Sequence, residues 1–327
     1  MPAQRSFAKL LLYISLFPQL IAGPIVRYSD VAAQIDDRQF DASEAFYGAT
    51  RFCVGLAKKV LLADAAGKVA SQILDGSLAS STTVAAWLGI LLYTFEIYFD
   101  FSGYSDMAIG MGQMLGFHFP ENFNYPYTAA SVTEFWRRWH ISLTTWFREY
   151  LYIPLGGSRK GTWRTVRNIF LVWFCTGFWH GASWNFILWG LFFGVLIIIE
   201  RLGFGKILEK LPSAVSMLYT FVMVLFGWVL FDTDTLADAG RYYAAMFGAG
   251  GSLVDSYARY TIASNAVMLT LCILISGGLG SRLISFCEEK NKRASAVAGV
   301  AVKIGGLLIC TAYLVGATYN PFLYFQF

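Results

Sequence analysis

The feature that most constrains this chain is a run of 31 residues, from Ile169 to Ile199, without a single Asp, Glu, Lys or Arg. Apolar stretches of about 18 or more residues with few charges read as membrane-spanning helices. Comparable charge-free runs lie between Lys9 and Arg27, between Arg259 and Arg282, from Ser213 to Phe231 and from Ile304 to the final Phe327. A globular core does not hide that much contiguous apolar sequence. Only 14% of the residues are charged, against about 25% in soluble domains. Nothing alternates over segments of roughly ten residues as lipid-facing barrel strands do. The sequence therefore predicts an all-α, polytopic integral membrane protein, with several spanning helices plus re-entrant and interfacial amphipathic helices.

The formal net charge is +4, and the basic residues fall between the apolar runs. That placement suits membrane topology and lipid headgroups and gives no reason to expect nucleic acid. Cys53, Cys175, Cys272, Cys287 and Cys310 are odd in number and scattered without a CxxC, so they read as small apolar fillers rather than disulfides or metal ligands. The segment from Leu10 to Val26 reaches Arg27 without a small-residue cleavage motif and reads as a spanning or re-entrant segment. Pro18 and Gly23-Pro24 break it.

Farther on, the stretch from Ala45 to Leu74 carries Arg51, Lys58, Lys59 and Lys68 and reads as amphipathic, with snorkelling ends. A span is expected from Val84 to Phe101, carrying Glu96 and Asp100, followed by a glycine-rich segment from Tyr104 to Phe117. Pro120 to Pro126 is a loop in which no chemistry is evident. Ser131-Val132-Thr133-Glu134 fits a capping box, and Phe135, Trp139, Leu143, Trp146, Phe147 and Tyr150 recur at helical steps. One interfacial helix from Ser131 to Tyr150 is expected, with Arg137, His140, Thr144 and Arg148 on its polar face. The loop holding Arg159, Lys160, Arg164 and Arg167 is expected on the cytoplasmic side.

The 31-residue run would extend about 46 Å as one helix, more than the ~30 Å hydrocarbon layer. Gly177, Gly181 and Ser183-Trp184-Asn185 invite a break in its middle, with Ser183 as the new N-cap and His180 at the break. Further spans are expected near 213–231, 260–280 and 304–316, with an amphipathic surface helix from Leu236 to Phe247.

The chain has three histidines: His118, His140 and His180. An ionisable side chain inside an apolar segment costs about 2.5 kcal/mol or more when charged and is a functional candidate. His180 fits a general base that takes a proton from a hydroxyl. It fits equally a neutral histidine hydrogen-bonded between helices. His140 fits a headgroup-facing role as well as a catalytic one, and His118 lies in a loop. Glu96 and Asp100, four apart on one helical face with Asp106 soon after, fit a proton or cation site or pairing with Lys and Arg of neighbouring helices, and pairing is the favoured reading. No two histidines fall at metal-ligand spacing, and neither a phosphate-binding glycine loop nor a GxSxG nucleophile elbow is present.

Three ordered stretches carry a resemblance: Tyr98-Phe99-Asp100-Phe101-Ser102-Gly103-Tyr104-Ser105-Asp106-Met107-Ala108; Phe135-Trp136-Arg137-Arg138-Trp139-His140-Ile141-Ser142-Leu143 leading to Tyr150-Leu151-Tyr152-Ile153-Pro154-Leu155-Gly156-Gly157; and Gly177-Phe178-Trp179-His180-Gly181-Ala182-Ser183-Trp184-Asn185. With Phe17-Pro18-Gln19-Leu20-Ile21-Ala22-Gly23-Pro24-Ile25 and Tyr319-Asn320-Pro321-Phe322, they resemble the membrane-bound O-acyltransferases, alginate O-acetyltransferase branch, over nearly the whole chain. The resemblance implies a single transmembrane domain over residues 1–327, without the helices that family members carry before the Phe17-Pro18-Gln19-Leu20 motif. It implies that His180 and His140 match the family's two motif histidines. No bound cofactor is implied; acetyl-CoA is the implied acyl donor, approached from the cytoplasm. A periplasmic partner acyltransferase would act on a polysaccharide acceptor such as alginate, in a multi-pass protein of the bacterial inner membrane. Glu96 stands where relatives carry glutamine, and Phe193 where many carry histidine. Two alternatives stay open: a transporter or channel without chemistry, and D-alanyl or peptidoglycan O-acyl transfer.

Overall fold

The computed structural model describes residues 4–20, 23–74, 82–249, 251–290 and 292–316, and the described residues contain helices and no strand. The chain opens with α1 (Phe7–Ser15) and a 3-10 turn (Phe17–Gln19), so the first apolar run is broken at Pro18 as its prolines require. Ile21 and Ala22 lie outside the described residues. After α2 (Tyr28–Asp36), α3 (Ala42–Ala57) passes through a π turn (Lys58–Ala63) into α4 (Asp64–Leu74).

The spine of the fold is α5 (Thr83–Met114), one unbroken helix of 32 residues. It merges the span and the glycine-rich segment that the sequence reading kept apart. Its glycines do not break it because they serve close packing: a methyl on Gly55 of α3 would overlap the Gly103 carbonyl of α5. Apolar residues surround α5 on all sides, since α3 and α4 pack against one flank and later helices against the other.

The expected interfacial helix from Ser131 to Tyr150 is three pieces: α6 (Val132–Arg138), α7 (Ile141–Phe147) and a π turn (Arg148–Tyr152). Ser131 caps α6 by accepting from Glu134 N–H at 3.0 Å, but Glu134 accepts from Ala130 N–H rather than from the cap residue, so the box is only half formed. The break at Trp139–His140 splits the aromatic stripe. Phe135, Trp139, Leu143 and Phe147 are buried, whereas Trp146 and Tyr150 are exposed.

Next come α8 (Thr162–His180) and α9 (Trp184–Ile199), an antiparallel hairpin whose break falls where Gly181 and Ser183 predicted it. Ser183 occupies the N-cap position, yet its side chain makes no cap hydrogen bond. Asn185 takes over the anchoring, donating to the Thr233 carbonyl. A π turn (Glu200–Phe204) and α10 (Gly205–Leu208) extend α9. The remainder comprises α11 (Ser213–Asp232), α12 (Leu236–Met246), α13 (Ser256–Ser264), α14 (Ala266–Ser276), α15 (Leu279–Lys290) and α16 (Lys292–Gly316). The span expected near 260–280 is bent by 62° between α13 and α14. The segment α12 is amphipathic as expected, burying Ala239, Tyr242, Ala245 and Met246 against the spine, where Tyr242 Oη donates to Ala86 O at 2.6 Å.

Among the described residues four helices are long and apolar enough to cross a membrane: Thr83–Met114, Trp184–Leu208, Ser213–Asp232 and Ala298–Gly316. Large apolar side chains such as Leu218, Val302 and Val315 stand exposed on their outer faces, which a bilayer accepts and water does not. Charges inside the bundle are paired. Asp106 accepts from Arg51 and Lys58, and Asp100 pairs with Lys59 at 2.6 Å, as the expectation of pairing with neighbouring helices required. Lys59 is buried between Asp100 and Asp64 and does not snorkel. Among the described residues Glu96 has no ion pair of this kind; its carboxyl fills the space left by the missing side chain of Gly67. The five cysteines are free.

Candidate active site

The bundle encloses a cavity of about 470 Å³ walled by α5, α6, α7, α8, α9 and α11. Five residues of α8 line it at helical spacing: Ile169, Val172, Trp173, Thr176 and His180. At ~1.5 Å per residue this stripe runs about 16 Å. Trp136, Trp139, Trp189, Trp228 and Phe231 supply an aromatic wall, and Arg137 and Arg148 are its exposed members.

His180 is the last residue of α8, so the helix ends on the residue that faces the cavity. The chain leaves the helix at Gly181, where a side chain would overlap the Phe186 ring, and the imidazole lies against aromatic edges: Trp189 at 4.8 Å, Trp179 at 4.9 Å and Phe231 at 5.3 Å between ring centroids. The crossing of α8 and α9 is tight because Gly177 lies against the Phe186 carbonyl and Gly190 against the Trp173 carbonyl. Among the described residues, His180 has no hydrogen-bond partner, so the interhelical hydrogen bond considered for it is not what holds it.

His140 is buried and lies in the break between α6 and α7, not on a headgroup-facing surface. Its backbone is left-handed, with φ 44° and ψ 54°, a conformation that costs a non-glycine residue about 1–2 kcal/mol and that persists only where its surroundings impose it. Those surroundings are the 120–126 loop. Ile141 N–H donates to Asn122 O at 3.0 Å, and Asn124 N–H donates to Arg138 O at 2.9 Å. Burial, and to a lesser degree the neighbouring His180, push the His140 imidazole below its ordinary value, which keeps it neutral. Both histidines therefore line one cavity. The third, His118, is exposed beside Glu44, outside it.

Two residues that the sequence reading passed over support this site. Asn122 is fully buried beneath His140; an asparagine set among aromatic residues between Pro120 and Pro126 was its one sequence signal. Glu200 is buried in the π turn after α9 and accepts from Val132 N–H at 2.7 Å, Thr133 N–H at 2.9 Å and Thr133 Oγ1–H at 2.6 Å. It closes the N-terminus of α6, whose own residues Trp136 and Arg137 face the cavity. Among the described residues no cluster of three His, Cys, Asp or Glu side chains is placed to hold a metal ion.

Comparison with known proteins gives this arrangement its context. Residues 3–231 match the model of the MBOAT, or membrane-bound O-acyltransferase, family. The chain is 40% identical over 343 residues to the probable alginate O-acetylase AlgI of Pseudomonas putida, covering 100% of this chain and 70% of that protein. It is 43% identical over 282 residues to the corresponding protein of Pseudomonas aeruginosa, covering 86% of this chain and 54% of that one. A peptidoglycan O-acetyltransferase of Helicobacter pylori is 34% identical over 97% of this chain and 64% of its own length. An all-helical bundle with helices fit to span a bilayer, matched by this family over most of its length, permits one assignment: the chain belongs to the membrane-bound O-acyltransferase family and is an acyltransferase enzyme of the membrane.

Proposed function

We propose that the protein moves an acetyl group from a cytoplasmic thioester, acetyl-CoA, to a hydroxyl acceptor on the route to O-acetylation of an exopolysaccharide such as alginate. The observation that carries this reading is the meeting of His180 and His140 on one cavity whose remaining wall is largely apolar. In that setting a neutral imidazole takes the hydroxyl proton as the oxygen attacks the thioester carbonyl. The tetrahedral intermediate then expels the thiolate, which recovers the proton from the imidazolium. His180 is the base in this scheme, and His140 assists. A narrow aromatic cavity keeps water from competing for the thioester.

The names of the relatives support polysaccharide as the acceptor class. The exposed Arg137 and Arg148 at the cavity suit the anionic end of the donor. The basic segment with Arg159, Lys160, Arg164 and Arg167 supports a cytoplasmic position for that end by the positive-inside tendency. An inner-membrane location and a periplasmic partner acyltransferase that completes the transfer belong to the same proposal.

The test is O-acetyl content of exported polysaccharide in cells carrying the intact protein or His180→Ala at matched membrane abundance, with the partner genes present. Loss of acetylation in an inserted variant is the expected result. Unchanged acetylation would overturn the role of His180 and favour a solute-moving protein without chemistry.

A further inference from the structure

The strained backbone at His140 sits over a small polar knot that joins four separate stretches of the chain. Asn122 Oδ1 accepts from Ser142 N–H at 3.2 Å and from Ser142 Oγ–H at 2.9 Å. A backbone N–H only donates, so the amide of Asn122 is oriented by the main chain, with its oxygen toward Ser142. Its other end, Nδ2, donates to Ser105 Oγ at 3.0 Å. Ile25 N–H donates to Ser142 Oγ at 3.0 Å, which ties in the first proline-glycine segment.

His140 Nδ1 lies 3.1 Å from the same Asn122 Oδ1. Two bare acceptors repel at that separation, so a proton lies between them, and the carbonyl oxygen cannot supply it. Ser142 Oγ is 3.4 Å from Nδ1, but it receives the Ile25 N–H and directs its single hydrogen to Asn122. The proton therefore belongs to the ring. Nε2 has no partner among the described residues, and His140 is part of the cavity wall.

We propose that Asn122 is a positioning residue that locks His140 as the Nδ1–H tautomer and thereby presents Nε2, with its lone pair, to the reaction cavity as a proton acceptor. Ser142 and Ser105 hold the Asn122 amide in the orientation this requires. The consequence for catalysis rests on the acyl-transfer reading above; the tautomer itself does not. A histidine in the other tautomer would offer the cavity an N–H, which cannot take a proton from a hydroxyl.

The test combines a spectrum with kinetics. With only three histidines in the chain, ¹⁵N-histidine labelling in lipid bilayers, with His118→Gln to remove the exposed signal and His180→Gln to assign the remaining pair, resolves His140. The expected spectrum of the intact site shows a protonated Nδ1 and an unprotonated Nε2. Asn122→Ala is expected to redistribute that proton and to lower kcat for transfer from acetyl-CoA by about tenfold or more, with KM for acetyl-CoA within about twofold, because a correctly poised base is worth about 10²–10⁴. Asn122→Asp, which keeps an acceptor at Oδ1, is expected to retain the Nδ1–H tautomer and to recover most of the rate. A protonated Nε2 in the intact protein would overturn the proposal, as would an inserted Asn122→Ala protein with unchanged tautomer and kcat. Should Asn122→Ala fail to insert, the spectra of the intact and Asn122→Asp proteins decide the matter. The spectrum needs no turnover, so a failure of the acyl-transfer reading, seen as activity surviving both His180→Ala and His140→Ala, is distinguishable from a failure of this one.

Discussion

Glu200 offers the most direct test of how the cavity wall is held. Its carboxylate takes three donors from the first turn of α6, two backbone N–H groups and the Thr133 hydroxyl, at 2.6–2.9 Å. Hydrogen bonds to charged groups contribute about 1.5–3 kcal/mol each, but the three share one acceptor group and do not add in full. Glu200→Ala removes the acceptor of one buried and two partly buried donors, and because each unsatisfied donor costs about 1–3 kcal/mol and the three do not add in full, a loss of about 3–5 kcal/mol is expected. Glu200→Gln keeps one oxygen acceptor but turns an NH₂ toward a donor and gives up the attraction to the helix N-terminus, and about 2 kcal/mol is expected. At roughly 2 °C per kcal/mol, the low end for large domains, the alanine variant should melt about 6–10 °C below the intact protein and the glutamine variant about 4 °C below. Thermal unfolding of the purified protein in detergent, followed by tryptophan fluorescence, measures both. Because α6 carries Trp136 and Arg137, acetyl transfer should fall at temperatures below the melting point of the alanine variant. A Tm for Glu200→Ala within 2 °C of the intact protein would refute the reasoning, since water would then be satisfying these donors as well as the carboxylate does.

Three further outcomes are expected. Lys59→Met leaves Asp100 buried without its 2.6 Å partner and should cost about 3–5 kcal/mol, while adding Asp100→Leu should restore more than half of it, because an apolar pair replaces a broken ionic one; denaturant or thermal unfolding of the single and double variants reads both. Gly177→Ala places a methyl on the Phe186 carbonyl and should destabilise by about 1–3 kcal/mol, and because His180 is one turn away, acetylation should drop more than abundance does. Burial alone would raise the Asp30 carboxyl, but the hydrogen bonds and charge of Arg27 outweigh it and hold the group below its usual value. Its contribution, at most about 1 kcal/mol for a pair this accessible, is therefore present above the ordinary carboxylate range and lost as pH falls through the depressed folded value. The Tm difference between the intact protein and Asp30→Asn should shrink on acidification from pH 6 toward pH 3, and a constant difference would refute that assignment.

The break at His180 was legible because Gly177, Gly181 and Ser183 mark it locally, and the all-helical membrane architecture followed from charge-free length alone. The break at His140 was not legible. Trp139-His140 contains no glycine or proline, and the left-handed turn is imposed by the loop around Asn122, a tertiary cause that periodicity cannot register. The same holds for Glu200, whose partners are 67 and 68 residues earlier in the chain. Lys59 looked like a snorkelling residue because its neighbours in sequence are polar and apolar by turns; only the approach of α5, allowed by Gly55 and Gly103, buries it. The pairing of His140 and His180 on one cavity came from the family resemblance and then from the packing, never from the spacing of the two histidines.

The length of α5 has a consequence for the host membrane. Its 32 residues extend about 48 Å, and a rod of that length would need a tilt near 50° to fit a ~30 Å hydrocarbon layer, beyond the range of about 0–40° seen in membrane helices. The charges show how the excess is disposed. From Thr83 to Phe101 the helix covers about 27 Å, which matches the layer, and beyond it Asp106 is ringed by Arg51 and Lys58, with Glu121 on Arg51. The polar network thus begins within two turns of Asp100 and Phe101, which are also residues of the cavity wall. Because neighbouring helices sheathe α5 over most of its length, its polar second half is covered by protein rather than by lipid, and the length of this helix is accommodated inside the bundle without the steep tilt that a bare rod would need.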